Sequence, residues 1–175
     1  MNCTTASLSG LTMECASSKG GIREVYVANY DATAATALNT AIEGQTTASS
    51  LSAITWYKYE FRRNTGSMTS TLNVDDANGT NYVSTDVVLQ FSRMDTKKRT
   101  EMRALSLNEL ILLVVDCNSR AWILGVDEPV VASAGTGQTG TNKSDGNFYQ
   151  ITLQANDDSY PIEWIGVIPT PENNA

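Results

Sequence analysis

Residue types suited to chemistry are scarce in this chain, and their spacing narrows what they can do. There is no histidine, which excludes imidazole acid–base catalysis, histidine-based nucleophile triads and histidine metal sites. Cys3, Cys15 and Cys117 have no metal-ligand spacing, and an odd number fits poorly with a disulfide framework. The run Gly135-Thr136-Gly137-Gln138-Thr139-Gly140 carries the glycine pattern of a dinucleotide-binding turn. That turn works by joining a strand to a helix whose N-terminus receives the pyrophosphate. Here the polar, turn-rich Thr141 to Asn147 follows, and Thr141-Asn142 stands where a phosphate loop needs lysine and a hydroxyl residue. Asp75, Asp76, Asn78 and Gly79 suggest a calcium loop, but Val74 and Thr85 fall where its first and last carboxylates belong, so a plain turn is expected. The carboxylate pairs Asp127-Glu128 and Asp157-Asp158 stand beside turn residues and are expected to be solvated. No catalytic, cofactor-binding or metal-ligating residue emerges, and the chain is not expected to be an enzyme.

What remains is electrostatic. Asp95 and Thr96 can cap a helix running to about Leu105, with Met102 and Leu105 one turn apart on its apolar face. Its first turn carries Lys97, Lys98 and Arg99, where the helix macrodipole disfavours positive charge by a few tenths of a kcal/mol or more per residue. Either these are a solvated face whose aliphatic stems cover the sheet, or they meet acidic groups of a neighbouring subunit. The net charge of −7 and pI near 4.5 argue against gripping nucleic acid by its phosphates. An acidic surface instead repels them.

The elements that hold these residues read as β-structure. Val83, Val87, Leu89 and Phe91 alternate with Ser84, Asp86, Gln90 and Ser92, and Met68, Ser70, Leu72 and Val74 alternate with Thr69, Thr71 and Asn73. Period two marks half-buried antiparallel strands, and Asp75 to Asn81 supplies the hairpin turn between them. Tyr57, Tyr59 and Phe61 oppose Trp56, Lys58, Glu60 and Arg62 in the same way. Leu110 to Val115 is apolar without a break and turns through Asp116 to Arg120 into Ala121 to Gly125, a hairpin whose first strand is expected to be buried on both faces. Further strands are expected at Ile22 to Tyr30, where the alternation is less clean, and at 148–155, with an edge segment at Tyr160 to Ile165.

Three segments rich in small and polar residues complete the outline. Residues 1–20 form an N-terminal arm, 31–53 a long loop or flap in which Ala32 to Ile42 has room for a helical turn or two, and 133–147 a glycine-rich loop. The globular part, 21–168, is of single-domain length and needs neither disulfide nor metal to fold; 169–175 is a tail, because Pro169 and Pro171 end regular structure. The expected subunit contacts are Lys97, Lys98, Arg99, Gly135, Gly137, Gly140 and Lys143. The fold class is therefore a mainly antiparallel β-sandwich or barrel with one flanking helix and long loops. No apolar run approaches a membrane span, and the N-terminus lacks the pattern of a signal peptide, so synthesis in a cytoplasm is expected.

The strings Trp56 to Thr65, Leu72 to Val83, and Gly137 to Gly140 followed by Ile151-Thr152-Leu153 resemble the tail-tube structural proteins of tailed bacteriophages, over most of residues 20–165. The resemblance implies a virion protein made in the bacterial host cytoplasm. It would self-assemble into homo-oligomeric, stacked rings around a DNA conduit, touching other virion proteins and passing DNA without binding it specifically. It carries no catalytic residue and no cofactor. Another virion part of the same fold, such as a collar, connector or shell decoration, shares every one of these features. From other classes, a carbohydrate-binding sandwich would have to use Trp56, Tyr57 and Tyr59 as exposed aromatics. A histidine-free hydrolase would need two carboxylates of raised pKa in a cleft.

Overall fold

The computed structural model describes residues 10–13, 15–31, 47–48 and 54–172. In chain order the strands are β1 (Ile22–Asn29), β2 (Thr47–Ala48), β3 (Tyr57–Tyr59), β4 (Ser67–Asp75) and β5 (Thr80–Ser92). Helix α1 (Thr96–Leu107) follows, then β6 (Leu110–Asp116), β7 (Ala121–Leu124), β8 (Val131–Gln138), β9 (Phe148–Asp157) and β10 (Ile162–Trp164). Sheet I has the order β2-β10-β7-β6-β1-β3 and sheet II the order β4-β5-β9-β8. All pairings are antiparallel except β10 with β2. The sheets do not close into a barrel, so the architecture is a sandwich with one helix among the described residues.

The two sheets face each other across a core whose pattern explains the sequence. In β6, Leu110, Leu112 and Val114 pack toward sheet II against Val87, Leu89, Ile151 and Leu153. Ile111, Leu113 and Val115 point the other way, into a second cluster with Tyr26, Trp56, Ile123 and Trp164. A strand covered on both faces can spare no polar position, which is why this run is unbroken. The same geometry accounts for the muddled alternation of β1, where Val25 and Val27 enter one cluster while Tyr26 and Ala28 enter the other. Each fully buried aliphatic side chain here contributes roughly 1.5–3 kcal/mol.

Sheet II follows the simpler rule. Val83, Thr85, Val87, Leu89 and Phe91 are buried, and the hydroxyl of Thr85 is satisfied by Ser70 Oγ at 2.8 Å across the β4–β5 pair. Helix α1 begins where Asp95, in extended conformation, accepts the Lys98 N–H at 2.8 Å, and it ends where Asn108 N–H returns to the Ala104 carbonyl. Its buried residue, Leu105, joins the cluster between the sheets, with Met102 packed beside it.

Two expectations change, and a third falls outside the described residues. Tyr160 to Ile165 does hold a strand, but β10 lies between β7 and β2 rather than at an edge, and Trp164 is buried. The loop expected over 133–147 is strand up to Gln138, and only 139–147 is a connection. Finally, the flap over 31–53 lies outside the described residues except for Asp31 and β2, as do the helical turns expected within Ala32 to Ile42. The arm over 1–20 is described only in part; within it Leu11 and Met13 are fully exposed.

Candidate functional site

The basic turn sits at the start of α1, and its electrostatic misfit is resolved inside the chain at Lys98. Lys98 Nζ donates to Asp95 Oδ2 at 2.6 Å and to the Arg93 carbonyl at 3.2 Å. The Lys98 ammonium and N–H hold the Asp95 carboxyl below its ordinary range. Of the two alternatives for the basic turn, a neighbouring subunit is not needed to offset the charge of Lys98, because the capping carboxylate three residues earlier accepts both its N–H and its ammonium. Lys97 and Arg99 are exposed and make no ion pair among the described residues.

Lys97 and Lys98 border a groove of about 580 Å³ between α1 and the β1–β3 end of sheet I, walled by Val27, Tyr57, Phe91 and Met102. Across it Tyr59 donates its phenol proton to Glu101 Oε2 at 2.8 Å. Burial first, and then that carboxylate, push the Tyr59 phenol well above its usual value, so it stays a proton donor. The hydrogen bond ties α1 to β3 and leaves no free acid–base pair between these two groups. Among the described residues no group of three or more metal-ligating side chains converges.

The glycine positions are structural in the monomer. Gly135 and Gly137 lie inside β8, opposite Ile151 and Tyr149. A Cβ on Gly137 would stand 2.8 Å from the Tyr149 ring, so the aromatic occupies the space that a side chain would need. Gly140 has φ +74° and opens the connection to β9. Asp145 Oδ2 organises that connection by accepting from Thr141 N–H at 2.8 Å and Asn142 N–H at 2.7 Å. Lys143 is exposed at its tip. The far end is tied to the residues before α1: Asn147 accepts Met94 N–H on its side chain at 2.8 Å and Arg93 N–H on its carbonyl at 2.7 Å. These contacts order the connection within one chain.

Two further readings are corrected. Trp56 is 2% exposed and packs in the second core cluster, so it cannot join Tyr57 and Tyr59 in an exposed aromatic platform. The carboxylate pairs are not all solvated: Oδ1 of Asp157 is enclosed without a hydrogen-bond partner. Burial pushes this carboxyl up to about 6, with the negative charge of Asp127 adding to the shift and the Glu128 N–H opposing it. No local signal marks this residue, because the cluster is made by two segments thirty residues apart in sequence. The turn reading at Asp75 holds, its carboxylate accepting Ala77 N–H at 2.9 Å and Asn78 Nδ2–H at 2.6 Å.

The most distinctive surface belongs to sheet II. Its outer face carries Thr69, Thr71, Ser84, Asp86, Gln90, Gln150, Thr152 and Gln154, set in register across β4, β5 and β9. Gln154 Nε2 bridges Ser84 Oγ at 3.1 Å and Asp86 Oδ1 at 3.0 Å. These strands contain no lysine or arginine. At the sides of the sheet, β4 and β8 are both edge strands, and β8, with the sequence VASAGTGQ, is exposed along most of its length and has no charged side chain.

No protein-family model matches the chain, and comparisons with curated proteins and with solved structures find no match either. No helix among the described residues is long and apolar enough to cross a membrane.

Proposed function

We propose that this chain is a virion structural protein of the tail-tube type, whose copies associate side by side into rings that stack around a DNA conduit. The observation that carries the reading is sheet II, with one face in the core, an outer face that is polar around Val88 and free of cations, and two edges that no other described strand pairs. An unprotected edge presents unpaired N–H and C=O groups and is a template for pairing with another chain. Natural monomers blunt such edges with charge or proline, and β8 has neither. If β8 of one copy pairs with β4 of the next, the contact is head-to-tail, and such contacts close into rings when the rotation permits.

The face lining such a ring would be hydroxyl and amide surface with Asp86, which offers DNA phosphates no cation to hold. In this reading the partners are further copies of the chain and other virion proteins, DNA passes without specific binding, and assembly follows synthesis in the host cytoplasm. A collar, connector or decoration protein would use the same edges in discrete rings.

Electron microscopy of the purified protein tests the proposal, with rings or tubes as the expected result. Thr136→Lys, which places a charge on the edge strand, should leave the circular dichroism of the monomer unchanged and abolish assembly. A protein that stays monomeric at high concentration, or a variant that assembles as the wild type does, would refute the edge-pairing reading.

A further inference from the structure

Two connections cross from one sheet to the other at the same end of the sandwich. Residues 125–130 lead from β7 to β8, and residues 158–161 lead from β9 to β10. They run side by side because Ile162 of β10 lies opposite Ile123 of β7, and Val131 of β8 lies opposite Gln154 of β9. Sequence places a carboxylate pair at each, Asp127-Glu128 on the first and Asp157-Asp158 at the start of the second.

The carboxyl of Asp157 faces inward at this junction. It borders a small, partly open space of about 10 Å³ lined by Ile123, Val126, Pro161 and Ile162, which is room for about one water. Its Oδ1 has no donor. The charged groups that act on it are all acidic: Asp127 and Glu128 from the first connection, and Asp158 beside it on its own. The Glu128 N–H is the one group that favours its ionised form. Of the other neighbours, β5 presents the aliphatic Val83 opposite Asp157, and the β9–β10 connection adds Ser159 and Tyr160. No lysine or arginine pairs with Asp157 among the described residues.

A carboxylate with one oxygen enclosed and only acidic charges around it is relieved most directly by a proton. We propose that the two crossovers form a proton-operated clasp between the sheets, closed when Asp157 is protonated and loosened when it ionises against Asp127, Glu128 and Asp158. Because Asp157 binds its proton more tightly in the folded chain than its ordinary value of 3.8, the contribution of the clasp is complete below that value. It is lost as the pH rises through about 6. The clasp lies on the β7–β10 side of the sandwich, and it concerns the monomer whether or not sheet II pairs with a second copy.

The test uses the whole chain. Carboxyl-carbon NMR should show Asp157 titrating near 6. Hydrogen exchange, corrected for the intrinsic dependence on pH, should show 125–130 and 158–161 opening roughly tenfold more often at pH 8 than at pH 5, a figure discounted for partial solvent screening. Asp157→Asn should remove that difference, and Asp127→Asn, which leaves the buried carboxyl in place, should lower the Asp157 midpoint. A midpoint in the ordinary carboxylate range would overturn the proposal. So would equal protection at the two pH values in the wild type, or a midpoint unmoved by Asp127→Asn.

Discussion

Gly125 ends β7 at the point where the chain leaves sheet I, and replacing it by alanine isolates the cost of that departure. Its φ is +84°, a conformation that costs an L-residue about 1–2 kcal/mol. The new Cβ would stand 2.8 Å from the Leu110 carbonyl oxygen, 2.9 Å from Val130 Cγ2 and 3.3 Å from Ile111 Cα. These neighbours cannot easily yield. Leu110 and Val130 exchange both backbone hydrogen bonds at 2.9 Å, and Ile111 is fully buried. Overpacking of this kind costs roughly 1–3 kcal/mol, so Gly125→Ala should destabilise the fold by about 2–5 kcal/mol in all. The control is Gly79→Ala in the β4–β5 turn, where φ is +66° but nothing lies within 4 Å of the new Cβ. That variant should lose only the conformational part. Urea unfolding of both, with unchanged m-values, gives the difference directly. A gap of less than about 1 kcal/mol between them would show that the packing around Gly125 relaxes, contrary to the steric argument.

Tyr59→Phe keeps the ring against Phe91, whose centroid is 6.0 Å away, and removes only the bond to Glu101; denaturant melts should place the loss at about 0.5–1.5 kcal/mol. Because Lys98 serves its own helix cap, the intersubunit role expected of the basic turn rests on Lys97 and Arg99. Lys97→Glu with Arg99→Glu should weaken assembly in sedimentation velocity at low salt while leaving the unfolding midpoint of the monomer in place, and unaltered sedimentation would assign them to a solvated face.

The parts of this fold that were legible in the sequence are those whose environment is set by near neighbours. The alternation of Val83 to Phe91 reports one buried face directly, and Asp95 with the Met102 and Leu105 pair marks the helix because cap and stripe lie within three turns. Strand β8 escaped because, after Val131, its alanine, serine and glycine carry little strand preference. It forms where β9 offers a partner along its whole length and Tyr149 covers the gap at Gly137. The burial of Trp56 and of Asp157 escaped for a different reason. Each depends on what a distant segment brings over it, the second core cluster in one case and the adjacent crossover in the other. The candidate site followed suit: its residues were readable as basic and glycine-rich, but not the internal partners that Asp95, Asp145 and Asn147 provide.

The order of strands in the two sheets has a consequence for how the chain pays its entropy. Sheet II is made of two local hairpins, β4 with β5 across residues 76–79 and β8 with β9 across residues 139–147. Sheet I has a local hairpin as well, β6 with β7 across residues 117–120, but β6 also pairs with β1, which brings Asn29 against Leu110. Closing a loop of some 80 residues rather than fewer than ten costs about 2 kcal/mol more on the logarithmic scale of chain closure. The three hairpins are therefore the low-cost contacts of the molecule, while β1 with β6 in sheet I and β5 with β9 in sheet II are the costly ones, so that β6 is held cheaply on one side and expensively on the other. Each sheet thus combines cheap local closure with one costly pairing that joins distant parts of the chain.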